Sequence, residues 1–175
     1  MNALTDQQWN EYEEKGCLVL GRVLEDQALA ELRERIDQIM LGEADLDYDR
    51  MLMQLDVGAT EYGAIGEQTK GFKGATLDYR KIQDLEFDPY FLSYMQHPMF
   101  LDICERTYGA NSKVGCFRAM FMNKPAGGGS VLPWHQDRWS NLDRYPQLTI
   151  WTALDPATKE NGCVKIIPCS HHHLI

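Results

Sequence analysis

The residues best suited to chemistry lie in one short run, Trp-His-Gln-Asp-Arg-Trp at positions 134–139. In a β-strand, side chains at positions i and i+2 leave the same face, so the imidazole of His135 and the carboxylate of Asp137 could coordinate one metal ion. Such a pair supplies two ligands of a facial triad, in which two histidines and one carboxylate hold Fe(II) and leave positions open for a chelating co-substrate and O2. The spacing therefore indicates a candidate iron site.

The same motif also has a purely structural interpretation. His-x-Asp occurs often by chance, and it suits a surface strand that carries two polar residues. Its surroundings favour the metal site: an apolar strand precedes it, a glycine-rich loop at 126–130 leads into it, and Trp134 and Trp139 could wall a dry pocket. Taken alone, the motif leaves both interpretations open.

Further ordered blocks of sequence, spread over nearly the whole chain, carry a resemblance to a known family. They are Leu4 to Gln8 with Gly16 to Leu20, Lys81 to Asp84, Met120 to Pro125, His135 to Asp137, Trp151 to Leu154, and Glu160 to Pro168 followed by Ser170 and His171. In this order the blocks resemble the phytanoyl-CoA dioxygenase family, a group of Fe(II)- and 2-oxoglutarate-dependent oxygenases. A match of several blocks is more specific than one short motif.

The resemblance implies a fold, an activity and a set of site residues. The fold would be a double-stranded β-helix, or jelly roll, and the activity would be the oxidation by O2 of a small organic substrate, usually hydroxylation at an unactivated C–H bond. His135 and Asp137 would bind Fe(II), Lys81 would touch 2-oxoglutarate, and Met120 and Trp151 would line the co-substrate pocket. Asp137 favours hydroxylation over halogenation, because its carboxylate occupies the position that a halide would need on iron.

Simpler interpretations of the co-substrate residues stay open. Lys81 could be a solvated surface lysine before a helix, and Met120 and Trp151 could be ordinary core residues of strands.

The chain departs from the family pattern near its end. In that pattern the second iron histidine and the arginine that holds the far carboxylate of 2-oxoglutarate belong on strands beyond Ile175. We therefore expect a C-terminally truncated jelly roll, or one that another chain completes. One of the histidines at 171–173 could supply a third imidazole instead, or the three could bind zinc or nickel adventitiously. Cys169 stands where the family usually has glycine, so this corner could bend differently.

Two other functions compete with the dioxygenase. The chain could be an inactive truncated paralogue or a binding module of the same fold that needs a partner chain. A cupin-like metal protein of other chemistry would require more histidines near His135, and the sequence has none there. The substrate is not fixed by the family, and no basic patch for the phosphates of coenzyme A is visible.

The pattern of elements predicts a mainly β protein with N-terminal and buttressing α-helices. We expect one domain over residues 1–175, helical or irregular over 1–112 and with a β core over 113–175. The predicted helices are one opened by a Thr5–Gln8 capping box and ending near Gly16, an amphipathic helix at Asp26–Leu41, and two at about Pro89–His97 and Pro98–Tyr108. The predicted strands are a buried one at 17–21, an alternating one at Met51–Val57 in an otherwise irregular stretch at 42–80, and four at Val114–Asn123, Leu132–Asp137, Leu148–Leu154 and Val164–Ile167.

Composition limits the classes of function. The 175 residues are 44% hydrophobic, enough for one core, and carry a net charge of -9 without basic clusters, which argues against nucleic acid as a partner. No apolar run is long enough to span a bilayer, and the polar, acidic start resembles no targeting signal, so we expect a cytoplasmic protein. The five cysteines form no CxxC pair and are expected to be small buried hydrophobes rather than disulfide partners. The oligomeric state stays open.

Overall fold

The structure, a computed structural model, describes residues 4–126, 128–137 and 148–173. The chain forms two units. The first, here the sheet unit, comprises residues 26–95 and 115–134, and the second, here the terminal unit, comprises residues 1–25, 96–114 and 135–175. The described residues form four α-helices: α1 (Asp6–Lys15), α2 (Asp26–Leu41), α3 (Pro89–Met95) and α4 (Pro98–Tyr108). They also form three short 3-10 turns, at Tyr62–Ala64, Leu85–Phe87 and Ser170–His172.

A four-stranded antiparallel sheet organises the sheet unit. Its strands are β1 (Leu52–Leu55), β2 (Thr69–Lys70), β3 (Tyr79–Gln83) and β4 (Met120–Met122), in the order β2-β1-β3-β4. Met53, Tyr79 and Ile82 on the two central strands are completely buried. Strands β1 and β3 therefore form the buried centre of the sheet.

An irregularity between β1 and β3 accommodates buried polar side chains. The register shifts between Gln54 and Leu55. There the guanidinium of Arg80 donates a hydrogen bond of 3.0 Å to Oε1 of Gln54, and Nε2 of Gln54 donates one of 2.7 Å to the carbonyl of Gly66. Because burial without partners would destabilise these groups, the bonds explain why Gln54 and Arg80 are tolerated at 7% exposure each.

Helix α2 covers the sheet unit with the apolar stripe that its sequence predicts. Leu32, Ile36 and Ile39 are all buried, at spacings of four and three residues. On the same helix Arg35 forms an ion pair with Asp88, with 2.7 Å between Nη2 and Oδ2, and the two side chains are only 10% and 2% exposed. The pair joins α2 to the start of α3.

The ends of α1 and α4 in the terminal unit follow ordinary capping rules. The Thr5 hydroxyl accepts from the Gln8 amide at 3.2 Å and the Gln8 side chain accepts from the Thr5 amide at 3.0 Å, which completes a capping box. Helix α1 ends at Gly16 in the left-handed conformation, with φ of 74°. Helix α4 begins at Pro98 and ends before Gly109. The preceding residue, His97, caps it by accepting a hydrogen bond of 3.3 Å from the amide of Met99 at Nδ1.

The helix predictions are confirmed, whereas several strand predictions are wrong. All four helices occur, with α3 two residues shorter than expected, and Met51–Val57 and Val114–Asn123 contain β1 and β4. Residues 17–21 form no strand and Val19 is 89% exposed. Residues 132–137, 148–154 and 164–167 also form no strand. Within the part of the chain that the structure describes these runs have no partner strand, and β propensity alone does not form a strand without one.

The distribution of strands also differs from the expected one. Three of the four strands among the described residues precede residue 113, where the sequence analysis had placed the β core after it. Strand β3 was not predicted. The extent of the domain stays a prediction.

The cysteines differ from expectation too. All five are free, but Cys116 and Cys169 are exposed and the other three are only half-buried, so the prediction of buried hydrophobes is wrong. None of the helices that the structure describes has the length and apolar character required to cross a membrane.

Candidate metal and co-substrate site

His135 and Asp137 bring their side chains together. Nε2 of His135 lies 3.5 Å from Oδ1 of Asp137, and the side chains are 51% and 44% exposed. Metal–ligand bonds of about 2.0–2.2 Å place neighbouring ligand atoms roughly 3 Å apart, so small rotations would let both donors reach one ion. An imidazole with a carboxylate also suits Fe(II). The two residues therefore fit two positions of the predicted iron site.

A third ligand does not accompany the pair within the described residues. Over 4–126, 128–137 and 148–173, no group of three His, Cys, Asp or Glu side chains is arranged to hold a metal ion. Among the candidates at 171–173, the ring of His171 lies with Nε2 3.0 Å from the carbonyl of Glu13, and its centroid is 3.8 Å from that of His172. The role of these histidines as ligands stays a prediction.

Lys81 and Met120 lie on one face of the sheet. The register pairs Lys81 with Met122 and Gln83 with Met120, so Lys81 and Met120 occupy diagonal positions on adjacent strands. Lys81 is half-buried, and Met120 is 36% exposed. The register therefore puts Lys81 and the accessible Met120 on the same face of the sheet, as diagonal neighbours.

Trp134, one of the two tryptophans expected to wall a dry pocket, is open to solvent, and so is Trp151. Trp134 is 64% exposed and Trp151 is 55% exposed, so neither is enclosed in a pocket. Trp139 lies outside the described residues. The contact of Trp151 with 2-oxoglutarate stays a prediction, without support from its surroundings.

Asp56 anchors the loop that leads towards the metal motif, a role the sequence analysis did not predict. Its carboxylate accepts hydrogen bonds from the amide of Ser130 at 3.0 Å and from the hydroxyl of Ser130 at 3.1 Å. It also accepts a hydrogen bond from the amide of Gly58 at 2.6 Å. Burial favours the protonated form of Asp56, but the hydrogen bonds from Gly58 and Ser130 outweigh it and hold the pKa below its ordinary value. The amide of Val131 adds a bond of 3.0 Å to the carbonyl of Ala59. Three of these bonds hold the end of the glycine-rich loop, and the bond from Gly58 closes a turn around Asp56 itself.

Gln136 anchors the metal motif itself and was also not singled out from the sequence. Its Nε2 donates to the carbonyl of Ser170 at 3.0 Å and to the carbonyl of His173 at 2.9 Å. No signal within the motif could reveal these partners, which lie 34 and 37 positions away. For Asp56 a local signal exists, since Asp-x-Gly is a common turn sequence.

Comparisons with known proteins agree with the resemblance. The profile of the phytanoyl-CoA dioxygenase (PhyH) family matches residues 12–174. A probable phytanoyl-CoA dioxygenase of Caenorhabditis elegans is 26% identical over 178 residues, which cover 96% of this chain and 53% of that protein. The peroxisomal phytanoyl-CoA dioxygenase of Homo sapiens is 26% identical over 175 residues, 97% of this chain and 48% of that protein.

A third relative is covered more fully. The phytanoyl-CoA dioxygenase domain-containing protein 1 of Danio rerio is 28% identical over 200 residues, 98% of this chain and 67% of that protein. The chain spans about half the length of the first two relatives. No solved structure shows significant similarity to it. Because the family profile matches nearly its whole length, the chain belongs to the phytanoyl-CoA dioxygenase family.

Proposed function

We propose that this chain carries part of the active site of an Fe(II)- and 2-oxoglutarate-dependent dioxygenase that hydroxylates a small organic substrate. The observation that carries the proposal is the convergence of His135 Nε2 and Asp137 Oδ1 to 3.5 Å, in the one motif that the sequence analysis selected for metal chemistry. Family membership supports the same reaction class.

His135 and Asp137 would hold the metal. A neutral imidazole and an ionised carboxylate together offer one neutral and one negative donor, which leaves a bound Fe(II) with a net positive charge for an anionic co-substrate. When bound, Fe(II) would supply the reaction with O2 at that site. Both side chains are about half exposed, so the metal would have free access to them.

Lys81 and Met120 would receive 2-oxoglutarate. Its far carboxylate needs a cation, and Lys81 offers one from the central strand of the sheet, while the thioether of Met120 offers an apolar contact on the same face. Their positions on paired strands favour a shared ligand, since diagonal neighbours on adjacent strands lie about 7–8 Å apart.

A second candidate function is a non-catalytic binding module of the same fold. The absence of a three-ligand metal group among the described residues favours it. The two functions differ in whether metal and co-substrate bind together at the His135–Asp137 pair.

An anaerobic titration separates the two functions. We would add Fe(II) and 2-oxoglutarate to the 175-residue chain and follow the visible metal-to-ligand charge-transfer band, using His135→Ala and Asp137→Ala as test variants. The matched control is His97→Asn, which removes an imidazole from the start of α4 but keeps a side chain able to cap Met99. A band that both test variants abolish and the control retains supports the dioxygenase; no band in the unmodified chain supports the binding module.

The co-substrate contact is tested by Lys81→Met. Losing a hydrogen bond to a charged group should weaken 2-oxoglutarate binding by roughly 10- to 100-fold while Fe(II) binding is unchanged. Lys73→Met is the control, because Lys73 is a lysine of the same unit that lies outside β3 and whose Nζ donates to the carbonyl of Lys70. Equal 2-oxoglutarate affinity in the two variants would contradict the assignment of Lys81.

A further inference from the structure

We infer that Gln136 is a positioning residue, which holds His135 and Asp137 in place by fastening the backbone between them to the corner formed by residues 170–173. The inference rests on the proposed function, because it takes the two neighbours of Gln136 to be metal ligands.

The contacts of Gln136 use its full capacity to donate. One Nε2 atom has two hydrogens, and the structure offers each an acceptor, the carbonyl of Ser170 at 3.0 Å and that of His173 at 2.9 Å. Its neighbours His135 and Asp137 instead approach each other. A two-point attachment fixes the orientation of the side-chain amide, and with it the peptide units on both sides.

The corner that accepts these bonds is itself fixed to the end of α1. The amide of Cys169 donates to the carbonyl of Lys15 at 2.9 Å, and Nε2 of His171 lies 3.0 Å from the carbonyl of Glu13. The ring of His171 fills the space beside Gly16, where an added Cβ would collide with it. Gln136 is therefore attached to a corner that a capped helix supports.

This attachment matters for metal binding because the ligand pair is exposed. Two half-exposed side chains on irregular backbone lose conformational freedom when they close on an ion, and this loss weakens binding. Hydrogen bonds that already restrict the two side chains in the metal-free protein reduce this loss of conformational freedom. Residues around metal ligands generally act in this way. The hydrogen bonds of Gln136 also connect two separate sequence motifs, the one at 135–137 and the one at 168–171.

The test variant is Gln136→Met, which removes both donors and keeps a side chain of similar length. The control is Gln68→Met in the sheet unit, where Nε2 of Gln68 donates to the carbonyl of Leu52 at 3.0 Å. Gln136→Met loses two bonds from a side-chain amide to the backbone. Gln68→Met loses one, and also the acceptor for Nε2 of Gln83 at 2.8 Å, so a general loss of stability would affect both. Only Gln136→Met should change the metal site.

The first measurement is the Fe(II) dissociation constant in the anaerobic titration with 2-oxoglutarate. We expect Gln136→Met to raise it by about 10- to 100-fold, the range seen when a partner of a metal ligand is removed. The control should leave it unchanged, even where its melting temperature falls. An unchanged constant in Gln136→Met, or an equal rise in both variants, would overturn the inference.

The second measurement is amide hydrogen exchange in the metal-free chain, which does not depend on the proposed function. Peptides that cover residues 134–137 should exchange faster in Gln136→Met than in the unmodified chain or the control. If the unmodified chain binds no Fe(II), the proposed function fails and this measurement decides alone. Faster exchange would then support the fastening by Gln136, and unchanged exchange would refute it.

Discussion

The core of the sheet unit and the metal motif of the terminal unit are stabilised in different ways. In the sheet unit Met53, Tyr79 and Ile82 are fully buried, and even its ion pair is removed from water. In the terminal unit the metal motif is about half exposed and is attached by hydrogen bonds to backbone carbonyls. Burial of apolar surface stabilises far more than a few exposed hydrogen bonds do. We therefore expect the candidate metal motif to be more easily displaced than the core of the sheet unit.

The two anchoring residues, Asp56 and Gln136, show the same contrast at the level of single residues. Asp56 binds the end of the glycine-rich loop through a charged carboxylate, so the strength of its hydrogen bonds depends on pH. Gln136 attaches the metal motif through a neutral amide, so the strength of its hydrogen bonds does not depend on the protonation of Gln136. Substitutions in the two units should consequently differ in size and in pH dependence.

Removal of Asp88 should give the largest effect. Asp88→Ala leaves the guanidinium of Arg35 buried without its carboxylate, and it also removes the acceptor for the amides of Tyr90 and Phe91 at the start of α3. Breaking a buried pair from one side typically costs about 3–5 kcal/mol of unfolding free energy. Chemical denaturation measures this loss, and a loss below about 1 kcal/mol would show that the pair is open to water.

Two isoleucines compare the core of the sheet unit with an exposed run of the terminal unit. Ile82→Ala on β3 should cost about 2–5 kcal/mol, because Ile82 is completely buried. Ile166→Ala should change stability by no more than about 0.5 kcal/mol, because Ile166 is 57% exposed in a run predicted to be a strand. Similar losses in the two variants, measured by chemical denaturation, would indicate that residues 164–167 pack as the sequence predicted.

Asp56→Asn should give a smaller loss that depends on pH. At neutral pH the loss of charged hydrogen bonds to Ser130 and Gly58 should cost about 1–2 kcal/mol. Because folding lowers the pKa of Asp56, the folded state binds fewer protons, and the stabilisation is present above the ordinary aspartate pKa of about 3.9.

As the pH falls through the lower pKa of the folded protein, that stabilisation disappears. The difference between Asp56→Asn and the unmodified chain should therefore shrink below about pH 4. Denaturation midpoints in a pH series measure it. A difference that stays constant from pH 3 to pH 7 would contradict the role of the Asp56 charge.

Glu11→Ala should have the smallest effect. Glu11 and Lys15 on α1 form an ion pair of 2.7 Å, as short as the pair of Arg35 and Asp88, but the side chains are 45% and 48% exposed. Water screens an exposed pair, so the melting temperature should hardly change. A drop comparable to that of Asp88→Ala would mean that distance, not burial, sets the strength of these pairs.

The sequence predicted the features that depend on near neighbours. The capping box of α1, the apolar stripe of α2 and the proline and glycine that bound α4 are all local, and all occur. His135 and Asp137 also approach each other, but residues 132–137 form no strand, so the strand geometry from which their approach was predicted is not its cause. Their binding of iron stays a prediction.

Features that depend on distant partners were missed. Strand β3 was missed because polar Arg80 and Gln83 are buried in it, so its sequence does not alternate between polar and apolar residues. Arg80 is accommodated by its hydrogen bond to Gln54 at the register shift against β1. The strands expected at 132–137, 148–154 and 164–167 have suitable composition, but a strand needs a partner and the described residues provide none. Asp56 and Gln136 act on residues 74 and 34–37 positions away.

The conformation of Cys169 carries a consequence for engineering the corner at residues 170–173. Cys169 has φ of 62°, in the left-handed region that glycine enters without steric strain and other residues enter at a cost of about 1 kcal/mol. The corner thus keeps a bend that suits glycine although cysteine stands there. Cys169→Gly would relieve the strain in the folded state but would also give the unfolded chain more freedom, so the two effects oppose each other. Evolution could exchange these two residues in either direction with little net selection on stability.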